Sequence, residues 1–118
     1  MQELTKAEEQ IMLIIWQQEK CFVKEILSEL PEPKPAYNTV STIVRILEKK
    51  NFVGYNAFGK THQYYPLISK EEYKALKTDN LVSNFFGGSK EAMLSFFVKE
   101  NKMDIKELDE ILKELKKK

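Results

Sequence analysis

The sequence is short of cysteine and histidine: its 118 residues contain one of each, Cys21 and His62. A single cysteine forms neither an internal disulfide nor a cysteine-based zinc site, and it fits a reducing, cytoplasmic setting. One histidine and one cysteine argue against hydrolytic triads, and the sequence has no Gly-rich phosphate loop and no His/Glu metal motif. We therefore expect a protein that is not an enzyme and that needs no cofactor or metal.

Long apolar runs are missing as well. The longest, Ile11 to Trp16, is far shorter than the roughly 18–20 residues that cross a bilayer. The first ten residues carry three glutamates and no apolar block, which argues against a signal peptide. The sequence thus predicts a protein that does not insert into a membrane.

Charge is balanced overall but unevenly distributed. Nineteen basic residues face 18 acidic ones, for a net charge of +1, which excludes a wholly basic, histone-like binder. Residues 33–68, however, hold five basic residues against Glu48 alone, a net charge of +4. The basic residues are Lys34, Arg45, Lys49, Lys50 and Lys60. Such a local positive segment is either an ordinary solvated surface or a contact for an anionic partner.

Two helices are predicted before this segment. Thr5 and Glu8 form a capping-box pattern that opens a helix reaching about Gln18. A shorter helix follows over residues 23–30. Three prolines between positions 31 and 35 then prevent the helix from continuing.

A third helix is predicted from Asn38 to about Lys50, and Asn51 is expected to end it in a left-handed conformation. Its apolar positions are Val40, Ile43, Val44 and Leu47, the spacing of a helix that buries one face. Its polar positions are Thr39, Ser41, Thr42, Arg45 and Lys49. Short hydroxyls and an arginine on such a face suit base edges and phosphates.

Residues 52–58 and 61–67 are rich in aromatic and β-branched residues, with Gly59 and Lys60 between them. This pattern predicts a β-hairpin with a tight tip. His62 and Tyr64 share one strand face, whereas Tyr65 and Leu67 share the other. We expect Tyr65 and Leu67 to belong to the core, and Tyr37 either to contact a DNA backbone or to pack on Trp16.

Three further helices are predicted at the C-terminal end. Ser69 with Glu72 opens a fourth helix, Gly87-Gly88 breaks it, Ser89 caps a fifth and Asp104 a sixth. The fifth helix is apolar around its whole circumference, so it has to be buried on all sides, and fifty residues are too few to achieve that alone. A homodimer is therefore expected, through Phe85, Phe86, Met93, Phe96, Phe97, Ile105, Leu108, Ile111, Leu112 and Leu115. Packing of the fifth helix on the N-terminal domain of the same chain is the alternative.

Helix, helix, helix and hairpin in this order predict a mainly α fold: a winged helix-turn-helix over residues 1–68, with its hairpin as a small β wing, and a helical dimerisation region over 69–118. The expected partner is double-stranded DNA. The candidate DNA-binding residues are Tyr37, Thr39, Ser41, Thr42, Arg45, Lys49, Lys50, Lys60 and His62. A winged helix that binds only proteins, and a repressor that senses a ligand, are the alternatives.

The chain also resembles the penicillinase-repressor family of winged-helix repressors over nearly its whole length. The motifs are LTKAE at 4–8 with Trp16, VKEI at 23–26, NTVST at 38–42, RIL at 45–47, KK at 49–50, YYPL at 64–67 and FFGGS at 85–89. The resemblance implies a dimeric repressor on a palindromic operator that controls a resistance or stress operon. It also implies inactivation by cleavage in the fourth helix, triggered by a membrane metalloprotease sensor. The matching bond is Asn80-Leu81, where the family pattern has Asn-Phe.

Overall fold

The structure is a computed structural model that describes residues 2–100 and 102–116, with the side chains of residues 115 and 116 left out. Its elements are α1 (Lys6–Gln18), β1 (Cys21–Phe22), α2 (Val23–Glu29), α3 (Tyr37–Lys49), β2 (Val53–Phe58), β3 (Thr61–Pro66), α4 (Lys70–Phe85), α5 (Lys90–Lys99) and α6 (Ile105–Lys116). The mainly α architecture with a small hairpin is confirmed. The chain divides into an N-terminal unit, Met1–Ala75, and a C-terminal unit, Leu76–Lys118, and this division lies within α4.

Local capping signals place most of the helix ends. The Thr5 hydroxyl accepts from the Glu8 N–H at 3.2 Å while the Glu8 carboxylate accepts from the Thr5 N–H at 2.8 Å, which confirms the capping box. Ser69 and Glu72 repeat this exchange at α4. Ser89 accepts from the Ala92 N–H, and Asp104 from the Glu107 N–H. Asn51 has φ 65°, the left-handed conformation predicted for the end of α3.

The end of α2 is closed by a lysine from the proline-rich turn. Lys34 Nζ donates to the carbonyl oxygens of Leu27, Ser28 and Leu30 at 3.1, 3.0 and 2.7 Å. These carbonyls have no partner within a helix that stops here, so the ammonium satisfies them and complements the helix dipole. Lys34 therefore serves the fold of the N-terminal unit.

The hairpin is part of a three-stranded antiparallel sheet in the order β1-β3-β2, and β1 was not predicted. Cys21 pairs with Tyr64 and Phe22 with Gln63. Cys21 is fully buried there, as expected for a small apolar residue. Burial, assisted by the charge of Glu25, raises the pKa of its thiol to about 11, so the thiol stays protonated at neutral pH.

The prediction that Tyr65 and Leu67 form the core face of β3 is wrong. Tyr64 is the buried residue, with 4% of its surface exposed, whereas Leu67 is 52% exposed. Tyr65 instead lies over its cross-strand partner Gly54, where an added Cβ would come within 2.8 Å of the tyrosine hydroxyl oxygen. The core lies on the Tyr64 face because β1 pairs with β3 and brings the buried Cys21 beside that residue.

The core of the N-terminal unit joins α1, α2, α3 and the sheet to the first turn of α4. The residues that are fully buried include Met12, Ile15, Ile26, Val40, Val44, Leu47 and Phe52. The Tyr73 ring lies 5.8 Å from the ring of Trp16 and 5.8 Å from that of Phe52. Its hydroxyl accepts from the Leu4 N–H at 2.9 Å and donates to Glu9 at 3.1 Å. Tyr73 therefore belongs to this core although it follows the predicted domain boundary at residue 68.

An ion pair joins the first turn of α1 to the end of α3. Lys50 Nζ lies 2.8 and 3.0 Å from the two carboxylate oxygens of Glu8, whose side chain is only 6% exposed. Burial alone would raise the pKa of Glu8, but the hydrogen bonds from Lys50 and Thr5 and the Lys50 charge outweigh it and lower the pKa. Glu8 is therefore ionised at neutral pH and caps α1 while it holds Lys50.

Replacing Glu8 by glutamine tests this arrangement, because glutamine can still complete the capping box but cannot neutralise Lys50. We expect Glu8→Gln to lower the free energy of unfolding by about 1–3 kcal/mol in urea denaturation at pH 7. The folded pKa is lowered, so the contribution is present above the usual value of 4.5 and is lost as the pH falls through the lower folded value. Glu71→Gln, in the exposed pair with Lys74, is the control and should leave stability essentially unchanged. Equal stability of the Glu8 variant and the wild type at pH 7 would refute this role.

Candidate nucleic-acid interface

The outer face of α3 is polar over its whole length. Thr39, Thr42, Arg45 and Lys49 are exposed and Ser41 is half-buried, while the apolar stripe faces the core. Thr42 donates to the Asn38 carbonyl oxygen at 2.8 Å, and Arg45 donates to Ser41 Oγ at 3.0 Å. Ser41 thus orients the guanidinium through a contact between consecutive turns. Asn38, which sequence reasoning did not select, is exposed on the first turn of the same helix.

The positive charge of residues 33–68 is divided between the inside and the surface of the N-terminal unit. Lys34 is bound to the end of α2 and Lys50 to Glu8. Arg45, Lys49 and Lys60 are exposed. Because its ammonium is held by Glu8, we leave Lys50 out of the interface proposed below.

The hairpin tip presents Lys60 to solvent. Gly59 has φ +64°, and Phe58 pairs with Thr61 across the turn. Beside the tip, the His62 imidazole stacks on the Tyr55 ring with centroids 4.1 Å apart and planes 9° apart. Tyr55 was missed by sequence reasoning. Its register opposite Tyr64, two residues from His62, becomes visible only once the two strands are aligned.

A cleft of about 390 Å³ separates the N-terminal half of α3 from this hairpin. Its lining residues are Val23, Tyr37, Ser41, Arg45, Lys60, Thr61, His62 and Tyr64. Tyr37 is 51% exposed and lines the cleft. Trp16 packs on Tyr73 and donates to the Ile68 carbonyl oxygen at 2.9 Å. Five candidate DNA-binding residues therefore meet at one cleft, whereas Thr39, Thr42 and Lys49 lie along α3 outside its lining.

The C-terminal unit leaves most of its apolar side chains uncovered. Among its described side chains Val82 is buried, and α5 has no buried residue. Of the residues predicted to dimerise, Phe85, Phe96, Ile105, Ile111 and Leu112 are exposed, and Phe86, Met93, Phe97 and Leu108 are half-buried. Phe85 and Ile105 are 77% and 73% exposed. The side chain of Leu115 lies outside the described part of the chain.

The bond predicted for cleavage, Asn80-Leu81, lies in a regular turn of α4. Leu81 is exposed and Asn80 is half-buried. Among residues 2–100 and 102–116, no group of three His, Cys, Asp or Glu side chains is placed to hold a metal ion. No helix in that part of the chain is long and apolar enough to cross a membrane.

Three helices followed by a hairpin, with a polar outer face on the third helix, define a winged helix-turn-helix protein. The family model described as Penicillinase repressor matches residues 4–117, and the chain belongs to the penicillinase repressor family, a non-enzymatic family of repressors. It is 26% identical to the methicillin resistance regulatory protein MecI of Staphylococcus aureus strain N315, covering 98% of this chain and 95% of that protein. It is 25% identical to the penicillinase repressor of Bacillus licheniformis, covering 97% and 92% of the two chains.

Lys60 at the tip is expected to contact a phosphate. Lys60→Ala should reduce the slope of log affinity against log salt concentration by about one per subunit, because one counterion fewer is released. Sequence preference should stay the same, since a phosphate contact carries no base information. DNA binding measured at several salt concentrations gives both quantities. Lys90→Ala, which removes an exposed lysine of the C-terminal unit, is the control. A changed preference with an unchanged slope would contradict the phosphate contact.

Proposed function

We propose that this protein is a sequence-specific transcriptional repressor that binds operator DNA as a homodimer and controls a resistance operon. The observation that carries the proposal is the polar face of α3, where Arg45 and Lys49 are exposed and unpaired with carboxylates among the described residues. Membership of a repressor family supports the same conclusion. The names of the relatives in Staphylococcus and Bacillus suggest antibiotic resistance as the regulated trait.

On DNA, α3 lies in the major groove with its N-terminal half toward the bases. Asn38, Thr39 and Thr42 supply short polar side chains on this face. The bond of Arg45 to Ser41 and its place in the cleft direct the guanidinium toward the side of the wing, which suits a phosphate. A protein-binding winged helix would call for an apolar or acidic outer face, and Ile46 is the one large apolar side chain exposed on the described α3.

A gel-shift assay with the DNA upstream of the protein's own gene tests the proposal. The wild type should shift this fragment at concentrations that leave unrelated DNA free. Arg45→Ala should weaken binding to both DNAs by a similar factor of about ten, because a charge-assisted bond to phosphate is lost. Arg45→Lys should restore most of the affinity, since lysine also binds phosphate but cannot form a bidentate contact to guanine. Equal affinity for the upstream fragment and for unrelated DNA would argue against a sequence-specific repressor.

The homodimer is proposed to form through the C-terminal unit. The exposed Phe85, Phe96 and Ile105 belong to helices whose ends are properly capped, so these segments are helical yet leave apolar surface in water. A second copy with the same surface covers it by a two-fold contact. Such a dimer presents two α3 helices to one face of DNA, about 34 Å apart or a multiple of that distance, and therefore requires a palindromic operator.

Replacing Phe96 and Phe97 by aspartate should convert the dimer into a monomer that binds DNA much more weakly, because the second half-site no longer adds affinity. Light scattering at tens of micromolar and gel shifts measure the two effects. Ser95→Asp adds a charge to an exposed polar position of the same helix and serves as the control. A monomeric wild type that binds a single half-site with undiminished affinity would overturn the dimer.

Release of the DNA is proposed to follow cleavage at Asn80-Leu81, triggered by a membrane metalloprotease sensor. This rests on membership of the family and on the position of the bond in α4, between the core residue Tyr73 and the exposed Phe85. Mass spectrometry of the protein from its own host after induction should find residues 1–80. Leu81→Pro, which changes the residue after the bond, should leave the chain intact and the operon repressed. An intact wild-type chain under full derepression would exclude this mechanism.

A further inference from the structure

The cleft between α3 and the wing is lined almost entirely by hydrogen-bond donors. Arg45 and Lys60 each bring a positive charge, and Ser41, Thr61 and His62 add further polar groups. Among the described residues that line it, only Val23 lacks a hydrogen-bonding side chain, and none is acidic. Pockets for apolar small molecules have the opposite composition, with a few polar groups in an apolar wall. The lining therefore favours an anion.

Tyr64 is the residue of this lining that its own fold leaves unsatisfied. The side chain is 96% buried, since 4% of the residue is exposed, and its hydroxyl forms no hydrogen bond among the described residues. Buried hydroxyls normally find a partner. Burial and the charge of Glu48 raise its pKa although Arg45 opposes them, so the hydroxyl stays protonated and can donate. A donor that opens on a cationic cleft calls for an acceptor from outside.

The neighbouring rings fix the geometry of the wall. His62 is stacked on Tyr55 at 4.1 Å, and its ring lies 6.1 Å from that of Tyr64 in an edge-to-face arrangement. Arg45 is oriented by Ser41 from the other wall. Preorganised donors on two facing walls lose little side-chain freedom when an anion enters.

We propose that this cleft is a binding site for one phosphate group, with the Tyr64 hydroxyl, Arg45 and Lys60 as its ligands and Tyr55 as the residue that positions His62 beside them. The site rests on the proposed function, and its source of phosphate is then the DNA backbone. The volume of about 390 Å³ is many times that of a water molecule, roughly 30 Å³, so a phosphodiester with its adjoining sugars can enter. A phosphate held between helix and wing fixes both elements on one strand of the duplex.

Phosphate ethylation interference on the upstream fragment tests the site. Wild-type protein should reject fragments ethylated at one backbone position in each half-site, because ethylation removes the phosphate charge and adds bulk. Tyr64→Phe keeps the buried ring but loses the donor, so it should bind about tenfold more weakly and tolerate ethylation at that position alone. Tyr65→Phe removes a hydroxyl from the next residue, which lies over Gly54 and outside the cleft lining, and should match the wild type.

Titration of inorganic phosphate into the protein without DNA, followed by the imidazole signals of His62, distinguishes the two sources of phosphate. Interference that depends on Tyr64 assigns the site to the DNA backbone. If the fragment is not bound, the proposed function fails. The site then stands as a receptor for a free phosphate only where phosphate shifts His62 in the wild type and not in Tyr64→Phe. A Tyr64→Phe variant with wild-type affinity and interference pattern overturns the backbone site while DNA binding stands. Absence of a phosphate shift as well removes the site altogether.

Discussion

The carboxylate of Glu8 serves two ends of the N-terminal unit at once. It accepts the Thr5 N–H at the start of α1 and holds Lys50 at the end of α3. Because α3 carries the polar face and borders the cleft, its position relative to the core depends on this carboxylate as well as on the apolar stripe beneath it. A buried charge that lost its partner would be costly, so the pair restrains the last turn of α3.

Local features of this fold were readable from the sequence, and contacts between distant residues were not. Thr5, Ser69, Ser89 and Asp104 cap their helices by bonds to residues three positions on, which a linear pattern records. Strand β1 has two residues, too few to show a period, and exists because Tyr64 lies opposite Cys21. The same pairing decides that Tyr64 is buried, which two adjacent tyrosines could not reveal.

The candidate site shows the same division. Arg45 and Lys60 could be selected from charge and position, but the sum of charges over residues 33–68 overstated what reaches the surface, because Lys34 and Lys50 have partners inside the fold. Tyr55 and the unsatisfied hydroxyl of Tyr64 depend on strand register and on a cleft between two elements. Neither leaves a signal in a one-dimensional pattern.

The position of Tyr73 has a consequence for the life of a cleaved repressor. The first turn of α4 completes the core of the N-terminal unit, whereas Asn80-Leu81 lies beyond it, so a fragment ending at residue 80 retains Tyr73 and its contacts with Trp16, Phe52 and Leu4. Such a fragment stays folded and keeps its α3 and wing. It would act as a weak competitor for half-sites, and full induction would then wait on its degradation or its dilution by cell growth.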